Sequence, residues 1–204
     1  MIKRGTIRLN IERGASVAEF KSFLDDLETA YLAVYALPSN QEWRSLERRF
    51  PFLIEFLGAG FFTHRFANTE RFGSENVFPL DQIEITRISI QSPGFVELLA
   101  AFNPLQQIRE YLKDRHERKK DKEWRWESEK DRAAAEVNIL RIQAEREGTS
   151  AIREFSELLD SIGLREEEKQ KILWERVGGP LARLGKHQDS GLLGSQNDNV
   201  DSHR

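Results

Sequence analysis

Residues 6–13 alternate, with Ile7, Leu9 and Ile11 on one parity and Arg8, Asn10 and Glu12 on the other. Successive side chains of a strand point to opposite faces, so this stretch reads as a β-strand with one apolar face. Gly14 ends it. Ser16 followed by Glu19 has capping-box spacing, in which each side chain satisfies a backbone N–H at a helix start. The helix that follows carries Val17, Phe20, Phe23, Leu24, Leu27, Ala30, Tyr31 and Val34, a stripe suited to covering a sheet, and Pro38 stops it. Ser39 with Glu42 offers a second cap, after which Trp43, Leu46 and Phe50 share a face. An apolar stretch over 52–57 closes at Gly58 and Gly60. Residues 63–80 are polar and turn-rich, with Gly73, Asn76 and Pro79 as breakers, and read as a connecting loop.

A second strand is predicted over 82–91. Ile83 and Ile85 share one parity, Ile88 and Ile90 the other, which a strict period of two cannot place on one face. Either a bulge sits near Thr86-Arg87 or the strand is buried on both sides; the bulge is preferred because it keeps Arg87 out of the core. Ser92-Pro93 then opens a predicted short amphipathic helix with Phe95, Val96, Leu98, Leu99 and Phe102. Asn103-Pro104-Leu105-Gln106 is a helix-start signal, and no glycine or proline follows until Gly148. A continuous helix over 104–147 would be about 66 Å long. Its first turns carry Leu105, Ile108, Tyr111 and Leu112 for docking, whereas 113–123 holds no apolar residue and reads as a solvated face laced with pairs such as Asp114 with Arg118 and Asp121 with Arg125. A narrow seam of Trp126, Ala133, Val137, Leu140 and Ala144, interrupted by Lys130, has coiled-coil spacing.

Beyond Gly148, Thr149-Ser150 can cap a helix whose face is Ile152, Phe155, Leu158, Leu159 and Ile162. Gly163 turns the chain into a partner helix over 165–177 with Ile172, Leu173 and Trp174, and Gly178-Gly179-Pro180 is expected to end it. From His187 the polar tail reads as disordered. The expected fold is α+β: a small α+β domain over 1–103, a long charged helix over 104–147, a helical hairpin over 148–186 and a loose tail over 187–204.

Composition narrows the function classes. Charged residues make up 32% of the 204-residue chain and apolar ones 39%, and the apolar ones concentrate before Leu112. The net charge of -3 is spread evenly: residues 1–112 hold 12 basic and 14 acidic side chains, leaving 19 and 20 for the rest. Neither half is a polycation with a general footprint for nucleic acid or anionic lipid. Without cysteine there is no disulfide, thiolate chemistry or cysteine-based zinc site. The opening residues lead into a strand pattern, so no secretory leader is expected. The apolar run over 50–62, broken by Glu55, is too short to span a bilayer. A soluble, cytoplasmic protein is expected.

His64, His116, His187 and His203 form none of the spacings that aim two ligands at one metal, and read as surface histidines. No phosphate-cradling glycine motif follows either strand, and Gly58-Ala59-Gly60 lacks a third glycine. Asp25-Asp26 lies on the helix flank away from the stripe, and Glu166-Glu167-Glu168 opens a helix, where acids complement the dipole. No cofactor, no metal and no enzymatic activity are expected; His64 and Arg65 are the starting points for a scattered active site. The strip 115–126 interleaves Arg115, Arg118, Lys119, Lys120 and Arg125 with Trp124 and Trp126, a pattern that grips phosphates and stacks on bases. Asp114, Glu117, Asp121, Glu123 and Glu127 thread through it, which favours a charge-paired face over a nucleic-acid contact. Trp124 and Trp126 point to different sides of a helix, so one of them needs cover outside the seam. The leading expectation is therefore a non-enzymatic interaction or adaptor module, a homo-oligomer or partner-binder assembling through Trp124, Trp126, Val137 and Leu140.

Overall fold

The structure is a computed structural model, and it describes residues 4–37, 74, 77–89, 93–120, 151–161, 164–194 and 200–201. The alternating N-terminal pattern forms strand β1, Arg4–Ile11, with Ile7, Leu9 and Ile11 buried as the parity requires. Helix α1, Val17–Tyr35, follows it. The Ser16 side chain accepts from the Glu19 N–H at 3.1 Å, whereas the Glu19 carboxylate turns to Arg13 instead of closing the box. Phe23, Leu27, Ala30, Tyr31 and Val34 are buried, but Val17, the first residue of the helix, is exposed. The second cap and the apolar stretch over 38–62 lie outside the described residues.

Strand β2, Glu84–Ser89, carries the expected irregularity: its register against the next strand shifts between Ile85 and Arg87. That next strand corrects the short helix expected after Ser92. Gly94–Ala101 is strand β3, the partner of both β1 and β2. Gly94, Val96, Leu98 and Ala100 are buried while Phe95, Glu97 and Leu99 are half-buried on the other face. A central strand is apolar on both sides, which hides its period of two. Pro93-Gly94, read as a helix start, precedes a strand. The sheet order is β2-β3-β1-β4, antiparallel throughout, where β4 is the two-residue strand Val200–Asp201. The α+β class holds.

Helix α2, Phe102–Lys120, begins directly after β3, with Asn103 already in its first turn. Leu105, Ile108, Tyr111 and Leu112 are fully buried. Helix α3, Ala151–Ser161, buries Ile152, Phe155, Leu158 and Leu159 and packs on α4, Glu166–Leu173. The three glutamates occupy the first turn of α4, where Glu168 accepts from the Arg165 backbone N–H at 3.1 Å.

Gly178-Gly179-Pro180 does not end the helical run, which corrects the expected hairpin boundary. A π-helical turn, Trp174–Gly178, leads without a break into α5, Gly179–Asp189. Proline has no N–H to give and its ring crowds the preceding turn, so it is tolerated where the turn widens: the Gly179 N–H bonds the Trp174 carbonyl, five residues back. The tail is not loose at His187 either. His187, Gln188, Leu192 and Leu193 are buried, Gly191 turns the chain at φ 74°, and the Glu12 N–H bonds the Leu192 carbonyl at 3.0 Å while the Gly194 N–H bonds the Asn10 carbonyl at 3.0 Å. A sheet edge offers unpaired backbone groups, and this polar-looking segment takes them. Among the described residues one apolar cluster includes residues of β1, α1, β3 and α2 to α5, so a boundary at residue 103 cuts through shared packing. Among the described residues no helix is long and apolar enough to cross a membrane.

Candidate interaction surface

Two polar clusters fix the C-terminal helix to the rest. Arg115, expected on a solvated strip, is instead buried: its side chain is 1% exposed and donates to both oxygens of Asp189 at 2.9 and 2.8 Å and to the Gly185 carbonyl at 2.8 Å. It sits one turn beyond Tyr111 and Leu112 on the docked face, so it is spent on joining α2 to α5 and offers no contact to a phosphate. The Gln188 amide adds a bond to the Leu112 carbonyl at 2.8 Å. In the second cluster His187, expected at the surface, is packed edge-on against Phe23 with its Nε2 2.9 Å from Asp26. Arg183 lies 3.6 Å from the same carboxylate. Asp26 therefore faces α5, not open solvent, since α1 is covered on that flank too. His116 is half-buried.

At the opposite end of α1 a polar anchor sets the turn that feeds β2. The Tyr31 hydroxyl donates to the buried Asp81 carbonyl and accepts from the Ala101 N–H at 3.2 Å. The Tyr35 hydroxyl donates to the Asp81 carboxylate at 2.9 Å. Burial pushes both phenols up from the ordinary tyrosine range, and at Tyr35 the bond to Asp81 adds to it. Held at Asp81, the 3-10 turn Pro79–Asp81 leaves its apolar side chains outward: Phe78 is 72% exposed and Leu80 68%.

The chain passes from this turn into β2. Ile85 stands opposite Leu98 and Ile88 opposite Val96, both fully buried residues, so the two isoleucines lie on the core side of the sheet. They are nevertheless 47% and 42% exposed, because β2 is at the sheet edge. On the other side Glu84, Arg87 and Ser89 stand opposite Leu99, Glu97 and Phe95. There Arg8 lies 3.4 Å above the Phe95 ring with Arg87 at 6.0 Å, and Arg4 donates to Glu84 at 2.8 Å. The outcome is a flank of four large apolar side chains on one edge strand and its entry turn.

No family model, curated protein or solved structure matches this chain. The sequence hides this flank because Phe78 and Leu80 fall in a stretch dominated by turn formers, and parity alone does not show that β2 is an edge strand. Their signal was the Phe78-Pro79-Leu80 spacing, with two large apolar residues bracketing a proline. Of the other predicted site residues, Arg118, Lys119 and Lys120 belong to the last turn of α2, their side chains outside the described set. Trp124, Arg125, Trp126, Val137 and Leu140 lie outside the described residues, as do His64, Arg65 and His203. No group of three histidine or carboxylate side chains among the described residues is placed to hold a metal ion.

Proposed function

We propose that the protein is a non-enzymatic interaction module that docks a protein partner or a second copy. The observation that carries this reading is the exposed flank of Phe78, Leu80, Ile85 and Ile88. Single exposed apolar residues are ordinary, but several on one edge strand and its feeding turn suit recognition of another chain. The edge supplies backbone donors and acceptors and the side chains supply the apolar contact, as in strand addition to a sheet edge. The route through residues 104–147 is narrower than the charge pattern suggested. The face of α2 that carries Leu105, Ile108, Leu112 and Arg115 is used within the core, so assembly through that span is proposed only for Trp124, Trp126, Val137 and Leu140.

The test is site-specific photo-crosslinking in cells, with a benzoyl-phenylalanine placed at Phe78 or Ile85 and at the exposed Lys171 as control. Adducts at the two flank positions, absent at Lys171 and lost with Leu80→Asp, support the reading. Equal adducts at all three positions, or none at the flank, overturn it.

A further inference from the structure

The bulge gives β2 a symmetry that its sequence alone lacks. Reading Glu84–Ser89 from either end, the facing runs outer, core, two central residues, core, outer: Glu84, Ile85, Thr86-Arg87, Ile88, Ser89. Without the extra residue, positions 85 and 88 would face opposite sides, and no two-fold axis could set one against the other. With it they face the same way. An antiparallel second strand of the same sequence then fits with Ile85 opposite Ile88, Glu84 opposite Ser89 and Thr86 opposite Arg87.

Charge agrees with this register. On the outer face Glu84 is the diagonal neighbour of the second copy's Arg87, at a separation that long side chains bridge. Two-fold symmetry makes this opposite-charge pair occur twice. The Glu84 carboxylate already accepts one bond from Arg4 and has further acceptor capacity. Bulges and charges ordinarily blunt an edge against pairing. Here the bulge is central and the charges have opposite sign, so the same devices reject a foreign strand and select a copy of this one.

Resting on the interaction reading above, we propose that β2 pairs antiparallel with β2 of a second copy, joining two sheets across a two-fold axis. The occupant of the flank is thus the chain itself. Ile85 and Ile88 of each copy cover those of the other, and Phe78 and Leu80 precede the paired strand in the chain.

The experiment is sedimentation equilibrium on the full chain over a wide concentration range, with charge-reversal variants. The wild type is expected to reach twice its 23.7 kDa. Glu84→Arg or Arg87→Glu alone sets like charges together at both symmetric places and weakens the dimer about tenfold or more. The double reversal E84R/R87E recovers part of the loss but stays short of the wild type, because the reversed charges then meet Arg4 and Glu97 of their own sheet. Ile85→Lys, at a side chain 47% exposed, leaves a monomer whose circular dichroism matches the wild type. A dimer that neither Glu84→Arg nor Ile85→Lys weakens overturns the β2 register while leaving self-assembly through another surface. A wild type monomeric throughout also overturns it; if flank crosslinks then appear at masses other than twice the chain, the interaction reading survives with a different partner.

Discussion

Asp189→Ala should destabilise the protein more than Arg115→Met, although both remove the same ion pair. The asymmetry follows from where the two charges sit: the Arg115 side chain is 1% exposed and the Asp189 side chain 36%. Losing the carboxylate removes two charge-assisted bonds from a buried guanidinium, and breaking a buried pair in this way costs about 3–5 kcal/mol. Losing the guanidinium leaves a carboxylate that water can reach, while methionine retains much of the buried stem. The charge-assisted bonds are then exchanged for hydration, a net loss of about 1–2 kcal/mol. The double variant should resemble Arg115→Met alone, because with no cation buried the missing carboxylate no longer matters. Urea unfolding followed by tryptophan fluorescence and circular dichroism measures all three. Salt should change the ranking little, since buried charges are weakly screened. Equal losses in the two single variants, or additive losses in the double, would refute the burial argument.

Gly185→Ala places a Cβ 2.6 Å from Arg115 Nε and 2.9 Å from its Cδ, so the arginine must move. Overpacking of about 1–3 kcal/mol outweighs the gain in helix propensity of up to about 1 kcal/mol. In an Arg115→Ala background, which removes those atoms, the extra cost of the same change should disappear in the same urea titrations. Tyr31→Phe leaves the Ala101 N–H and the Asp81 carbonyl without their hydroxyl, costing about 1–3 kcal/mol by thermal and urea unfolding. The folded Tyr31 phenol titrates above its unfolded value of about 10, so its contribution is complete below that pH and is lost as pH rises toward the raised value. A stability–pH curve should accordingly fall less steeply above pH about 10 in Tyr31→Phe than in the wild type. Leu193→Ala, at a side chain buried beside Ile11, should cost about 2–4 kcal/mol and raise amide exchange at Glu12 and Gly194. Unchanged protection there would mean the segment over β1 contributes no packing.

What was legible in the sequence was local and periodic. β1 followed from the alternation of Ile7, Leu9 and Ile11, α1 from Ser16 and its stripe, and the bulge from the parity conflict between Ile85 and Ile88. Element type failed where burial on two faces removed the period, as in β3, and where punctuation had a second use, as at Gly178-Gly179-Pro180. The candidate surface was half legible. Parity located the irregular strand, but only its place at the sheet edge left Ile85 and Ile88 uncovered. Edge position is a property of strand order, which depends on how residues far apart in the chain pair.

Two departures from expectation, the buried Arg115 in a stretch read as solvated and the ordered residues 187–194 in a stretch read as disordered, have one cause. Leu105, Ile108, Leu112 and Arg115 recur at intervals of three, four and three, so Arg115 continues the docked stripe in position though not in polarity. Asp189 and the Gly185 carbonyl meet it and offset the cost of its burial, and Asp189 belongs to the segment whose composition suggests disorder. Conversely, α5 and the turn after it are held by Arg115, by Asp26 on His187 and by Leu192 and Leu193 beneath the edge of β1. Taken separately, each charged stretch has too little apolar surface to order itself. Together they neutralise each other across 74 residues of chain and leave their apolar neighbours free to pack. A count of charges along the chain measures the cost of burying each one alone, whereas the folded protein depends on which ones are buried in pairs.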